Sequence, residues 1–169
     1  MSYAGDMQIH NIRPATVCGV SPRMRFDVSV NMFAKQGYLD GRMTVFGGKQ
    51  IRPNIHIDDL VDVYRHFINN SDLPSGAYNA GFENIEILSI AEMVKDRTGA
   101  EIVITPSNDP RSYRQNSDKL LATGFRPKKS VADAIDEVLA ALASGELVDR
   151  DEWYTVRWMT QSVLADRRS

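Results

Sequence analysis

A mixed α/β fold with short strands is what this sequence predicts, and three observations carry the prediction. Short apolar runs bounded by Gly, Pro or Asn recur along the chain, as strands of a small sheet do. Between them lie longer segments whose apolar residues recur at helical spacing. The 169 residues, 43% hydrophobic and 25% charged, suit one globular domain with a real core.

The elements follow in order. Met7 to Ala15 reads as a strand, interrupted at His10 and Asn11, with Ile12 leading into Arg13-Pro14. Residues 18–27 are loop-like, with Gly19 and Pro22 as breakers. Asp27 or Ser29 is placed to cap a helix through Val30, Phe33 and Ala34 to about Tyr38, closed by Asp40-Gly41. Met43 to Phe46 is a short strand ended by Gly47-Gly48, and Arg52 to Ile57 alternates as another. Asp58 then reads as the N-cap of the clearest helix, with Leu60, Val61, Tyr64, Phe67 and Ile68 on one apolar face. Asn69 to Gly76 is a turn, and Ala77 to Ala80 a strand.

Ser89 with Glu92 forms a capping-box pattern before a helix carrying Ile90, Met93 and Val94, stopped near Gly99. Glu101 to Thr105 is a strand ended by Pro106. Residues 106–118 form a polar loop, Asp118 to Thr123 one helical turn, and Gly124 its end. Ser130 with Asp133 is a second capping box, opening a helix that buries Val131, Ile135, Val138 and Leu142 and closes at Ser144-Gly145. The last 20 or so residues, with Trp153, Tyr154, Trp158 and Met159, read as a short amphipathic helix and a charged end. The first strand has no preceding βαβ units to pair with. A parallel strand wants neighbours on both sides, so the chain reads as the back half of something larger.

Composition narrows the function classes. The formal net charge is −2, and basic residues do not interleave with aromatics in a stripe, which argues against nucleic acid. Cys18 is the only cysteine, so no internal disulfide forms, and His10, His56 and His66 lack metal-ligand spacing. A reducing, cytoplasmic setting is the expectation. The amino terminus lacks the basic and apolar regions of a signal peptide, and no apolar run is long enough to span a bilayer.

A series of motifs points to a family. Ile12 to Gly19 (IRPATVCG) resembles the R-x-x-T/N-V/x-Y-G stretch of extended short-chain dehydrogenases, and Ser21 to Asp27 with Val30-Asn31 continues the match. Thr44 to Pro53 follows, and Ile55 to Leu60 is similar to the family's F-I-H-V-x-D-L/V motif. Tyr78-Asn79-Ala80-Gly81 looks like its Y-N-V/I-G strand. Asp109 to Arg114, then Lys119-Leu120 and Gly124 to Pro127, resemble its closing D-x-R-x-Y…K…L-G-F-x-P signature. These six motifs stand in the family's order over roughly residues 10–140. The chain thus resembles the carboxy-terminal part of an NAD-dependent epimerase/dehydratase acting on nucleoside-diphosphate sugars.

The resemblance implies a Rossmann-type α/β protein whose glycine-rich, dinucleotide-binding half is missing from this sequence. It contains no G-x-x-G-x-x-G and no Tyr-x-x-x-Lys; Tyr3 is followed four places on by Met7, and Tyr154 by Trp158. Gly47-Gly48 follows a strand and opens no helix, a poor phosphate cradle. Residues 1–145 would be the substrate-binding part and 146–169 an amphipathic helix and tail.

The implied site residues are mostly cationic. Arg52, just past the Gly-rich turn, would clamp the nucleotide diphosphate by bidentate hydrogen bonds; the plain alternative is a surface arginine in a salt bridge. Arg111 matches the family's D-x-R pattern, and Arg114 is either a second phosphate or ribose contact or solvated. Arg23 and Arg25 flank Met24 in the loop that lines the family's pocket, where cations suit an anionic substrate; in water they would be ordinary loop arginines. Asn31 matches a position near the nucleotide, or is a helix-surface asparagine. Pro14, Ala15 and Val17 would pass the nicotinamide and Thr16 would reach toward substrate. Asp58 is explained by capping and His56 by a core hydrogen bond. Cys18 reads as a small buried residue, not a nucleophile.

Three functions compete at this point. The chain is the nucleotide-sugar recognition part of an enzyme in which NAD, absent from this chain's own repertoire, takes and returns a hydride. It is a non-catalytic nucleotide-sugar binding module. Or it is an inactive fragment. An open edge facing the missing half predicts a homo-oligomer or that half as partner.

Overall fold

In the computed structural model the described residues are 7–107 and 111–163. Three small sheets and the helices between them make up the α/β architecture. Strand β1 (His10–Pro14) pairs in parallel with β5 (Gly76–Ala80). Strand β4 (Ile51–His56) is the centre of the mixed sheet, parallel to β2 (Thr16–Cys18) and antiparallel to β6 (Glu83–Glu86). Strand β3 (Arg42–Phe46) pairs in parallel with β7 (Glu101–Thr105). Parallel pairs need crossovers, and α1 (Ser29–Leu39), α2 (Ile57–Asn69) and α3 (Ile87–Thr98) lie in those connections, while α4 (Asp118–Leu121) and α5 (Val131–Ser144) follow the last strand.

The core has three centres. Val30 and Phe33 of α1, Met43 and Val45 of β3, Ile90 and Val94 of α3, and Val131 and Ile135 of α5 form the first. Helices α1 and α3 approach so closely that a Cβ on Gly37 would sit 2.6 Å from Val94 Cγ1. Val63, Phe67, Tyr78, Leu120 and Phe125 join β1–β5 to α2 in the second. The third gathers Met24, Phe26, Val138, Leu142, Leu147 and Trp153 and so binds the end of the chain to the loop before α1.

Several expected boundaries shift for physical reasons. The box at Ser130 and Asp133 is present in full. Helix α1 starts after Val28 with no side-chain cap, because Asp27 is engaged elsewhere. Helix α3 starts at Ile87, so Ser89 lies inside its first turn and does not cap it. Helix α2 starts at Ile57, and His56 rather than Asp58 is its cap, accepting from the Asp58 N–H. The core takes the Val63–Phe67 side of α2 and leaves Val61, Tyr64 and Ile68 exposed, Ile68 at 78%. The final segment is less regular than a single amphipathic helix. A 3-10 turn at Asp151–Trp153 precedes α6 (Thr155–Trp158) and a π turn at Met159–Val163. Among the described residues, no helix is long and apolar enough to cross a membrane.

Candidate functional site

Three segments, two adjacent in sequence and one remote from them, meet around one cavity of about 780 Å³. The first is the passage from β1 into β2, which presents Pro14, Ala15, Thr16 and Val17. Ala15 marks the switch between sheets: its N–H still donates to Ala80 O of β5 at 2.8 Å, while Thr16 begins the ladder with β4. The second is the loop after Gly19, presenting Ser21, Arg23, Arg25 and Val28. The third is the strap Tyr113-Arg114-Gln115. Ile57 and Leu60 from the start of α2, with Pro53, close the apolar side.

Hydrogen bonds hold these walls in place. Asn31, 3% exposed, accepts from Gly19 N at 3.0 Å and donates to Arg25 O at 3.0 Å. The Tyr113 N–H donates to Ile51 O, and the Ile51 N–H to Ser112 Oγ, so the strap runs beside β4. Asn84 Nδ2 donates to Gln115 O at 3.1 Å and Asn84 Oδ1 accepts from Gln115 N at 2.8 Å. Gln115 Nε2 reaches across to Arg13 O at 2.9 Å. Its side chain lies over Gly81, where a Cβ would come within 2.5 Å of Ala15 Cβ and closer still to Gln115 Oε1. Only glycine allows that approach.

Eight of the ten residues expected from sequence line this cavity: Pro14, Ala15, Thr16, Val17, Arg23, Arg25, Asn31 and Arg114. Asn31 does so with its amide already spent on the backbone of its own loop. Arg52 and Arg111 are not among the lining residues. Arg52 stands behind the wall, its guanidinium carbon 5.2 Å from the Tyr113 ring centre and its Nη1 donating to Ile51 O and Arg111 O. Tyr113, Gln115, Ile57 and Leu60 were not singled out from sequence. Tyr113, Ile57 and Leu60 stand inside motifs that carry the resemblance, whereas Gln115 lies one place beyond the end of its motif.

The electrostatics of the lining are one-sided. Among the described residues it holds three arginines and no carboxylate. Arg23 and Arg114 have no ion-pair partner among the described residues. Arg25 Nε donates to Asp27 Oδ1 at 2.9 Å. Partial burial works against the Asp27 charge, but the hydrogen bonds from Arg25 and the Thr155 N–H outweigh it and hold this carboxyl below its ordinary value. Cys18 lines the cavity floor but is 1% exposed, and burial, with Glu83's charge, pushes its thiol up to about 12. It donates to Ile55 O at 3.4 Å and is no nucleophile at neutral pH.

Beneath the floor, His56 is fully accounted for. Its Nδ1 accepts from Asp58 N at 3.1 Å, so the ring proton sits on Nε2 and is donated to Glu137 Oε2 at 3.1 Å. His56, Asp58 and Glu137 bring potential ligand atoms within 4.8 Å of one another. Both ring nitrogens are used, however, and Lys129 Nζ already neutralises Glu137 at 2.6 Å. A cap and an ion pair explain this cluster without a metal.

The described residues do not by themselves fit a dinucleotide. In the Gly47-Gly48 turn, Gly47 N donates to Thr105 O at 2.8 Å and Gly48 N to Gln50 Oε1 at 2.7 Å. Those amides are spent, and a strand follows rather than a helix N-terminus. Pro14, Ala15 and Val17 offer one apolar wall and no phosphate cradle.

Residues 1–81 match the NAD dependent epimerase/dehydratase family. The fold is similar to UDP-N-acetylglucosamine 4-epimerase from Bacillus cereus, at 20% identity and TM-score 0.70, over 90% of this chain and 51% of that one. It is similar to ADP-L-glycero-D-manno-heptose-6-epimerase from Helicobacter pylori, at 18% identity and TM-score 0.71, over 85% and 47%. It is also similar to UDP-glucuronic acid 4-epimerase from Bacillus cereus, solved with UDP-glucuronic acid and NAD, at 24% identity and TM-score 0.70, over 82% and 46%. The chain spans about half the length of these solved proteins. Residues 1–81 thus carry a likeness to the NAD dependent epimerase/dehydratase family, and the fold is similar to that of solved epimerases over about half of their length.

Proposed function

We propose that this chain is the nucleotide-sugar recognition part of an NAD-dependent epimerase/dehydratase, binding a nucleoside-diphosphate sugar without performing the chemistry by itself. The observation that carries the reading is the cavity lining: among the described residues, three arginines, no carboxylate and an apolar side, in a volume within the range of small-ligand sites. Arg25, Arg114 and Arg23 would take the diphosphate, since guanidinium forks match phosphate oxygens. Tyr113, Ile57 and Leu60 offer flat and apolar surface for the base. The Thr16 hydroxyl, at the sheet switch, is the group for the sugar end. Arg52 and Arg111 would act on that diphosphate only from behind the Tyr113 wall, through its position.

The same reading assigns a partner. Among the described strands β1 pairs only with β5, and α2 presents Val61, Tyr64 and Ile68 to solvent. A two-stranded parallel sheet with an open edge calls for further strands, which a dinucleotide-binding half or a second copy would supply. NAD would be held mainly by that half.

The test is calorimetric titration of the purified chain with UDP, dTDP, GDP and CDP, and separately with NAD. The expected result is binding of one nucleoside diphosphate and weakening by about tenfold or more in Arg25→Ala and Arg114→Ala, the loss of one charge-assisted hydrogen bond each. Tight NAD binding, or nucleotide binding indifferent to both arginines, would contradict the assignment.

A further inference from the structure

The last described segment is more than a tail. Its peptide groups reach back over 128 residues of sequence to the loop that carries Arg25. Phe26, fully buried, donates its N–H to Trp153 O at 3.0 Å and meets the Trp153 ring edge-on at 5.4 Å. Asp27 bridges the two segments: Oδ1 accepts from Arg25 Nε at 2.9 Å and Oδ2 from the Thr155 N–H at 3.0 Å. The segment is itself anchored. Tyr154 donates to Asp149 at 2.7 Å, Asp149 pairs with Lys35 of α1 at 3.0 Å, and Arg157 lies over the Tyr154 ring at 4.4 Å.

We propose that residues 151–158 form a strap that fixes the guanidinium of Arg25 in the cavity wall, with Asp27 as the positioning residue between them. Asn31 already holds the Arg25 carbonyl. With Nε engaged by Asp27, the two terminal nitrogens are left as a pre-aimed fork for an anion. The ligand side of the proposal rests on the reading of the cavity as a diphosphate site; the strap itself does not.

Thr155→Pro separates the possibilities. Thr155 is the first residue of α6, a position where proline is well tolerated. Tyr154 has φ −114° and ψ 95°, extended backbone that a following proline accepts. The variant therefore deletes the donor to Asp27 and leaves the helix start intact. Solvent exchange of the Arg25 Nε–H, followed by 15N NMR, should accelerate by about tenfold, the effect of one hydrogen bond to a charged group. Affinity for the nucleoside diphosphate should fall by a similar factor, and the fall should vanish when Arg25→Ala is already present. Asp27→Asn, which keeps the Thr155 contact but removes the charge facing Arg25, should release the same proton if proline disturbs folding. Unchanged Nε–H exchange in both variants would overturn the proposal. If the unaltered chain binds none of the nucleotides, the cavity reading fails while the exchange comparison still decides the strap.

Discussion

Two adjacent aspartates with opposite burial offer the sharpest stability test. Asp59 is 1% exposed, and its carboxylate accepts from Lys128 N at 2.9 Å and Lys129 N at 3.0 Å. It thereby ties the first turn of α2 to the segment entering α5. Asp58 holds its side chain 65% exposed in the same turn. Each hydrogen bond to a charged group contributes about 1.5–3 kcal/mol, and Asp59→Ala also strands two donors. Relief of the buried carboxylate's desolvation offsets part of this, leaving a net loss of roughly 2–4 kcal/mol. Asp58→Ala removes only a charge near the helix N-terminus, about 0.3–1 kcal/mol. Both variants change the net charge equally, so long-range electrostatics cancel in the comparison. Urea unfolding at pH 7 reads the difference: with a slope of about 1–3 kcal/mol per molar, the Asp59→Ala midpoint should fall by roughly 1–2 M. A loss in Asp58→Ala equal to or larger than that in Asp59→Ala would refute the reasoning.

Two further outcomes follow from a half-buried carboxyl and a buried thiol. Burial, before any other influence, pushes Glu83 above its ordinary value of 4.5, even though it accepts from the Val131 N–H. A raised carboxyl favours the protonated folded protein, so its contribution is present at low pH and is lost as pH rises through the folded value. Glu83→Gln should therefore match the unaltered chain near pH 4 and exceed it in melting temperature at pH 7; equal melting temperatures at both pH values would count against it. Cys18, with its thiol at about 12, should react with a disulfide reagent at pH 8 on the order of 10³-fold more slowly in the folded chain than in denaturant. Fast labelling of the folded chain would show that the floor of the cavity opens.

Much of the site was legible because its residues sit in contiguous motifs. Ile12 to Gly19 and Ser21 to Asp27 each became one wall of the cavity. The signals that failed were those where tertiary partners decide. Asp27 has the chemistry of a cap, yet Arg25 and Thr155 claim both of its oxygens. Asp58 stands at a cap position by pattern, but the His56 ring takes the amide and Asp59 turns inward. Strands β2 and β6, three and four residues long, are too short to show a period and form only because β4 lies between them. The apolar stripe of α2 was correctly found on a helix, but periodicity alone could not tell which side faces the core. Arg52 was expected in the pocket by resemblance, and its place behind Tyr113 depends on a strap about 60 residues away in sequence.

The central claim is that the three-walled cavity binds a nucleoside diphosphate. Mapping backbone amide shifts by 15N NMR during titration with the nucleoside diphosphate tests it most directly. The account predicts shifts in residues 15–19, 23–28 and 113–115 together, at one common affinity, and little change around residues 124–128 on the far side of α2. Shifts confined to one of those segments, or centred on residues 124–128, would contradict it.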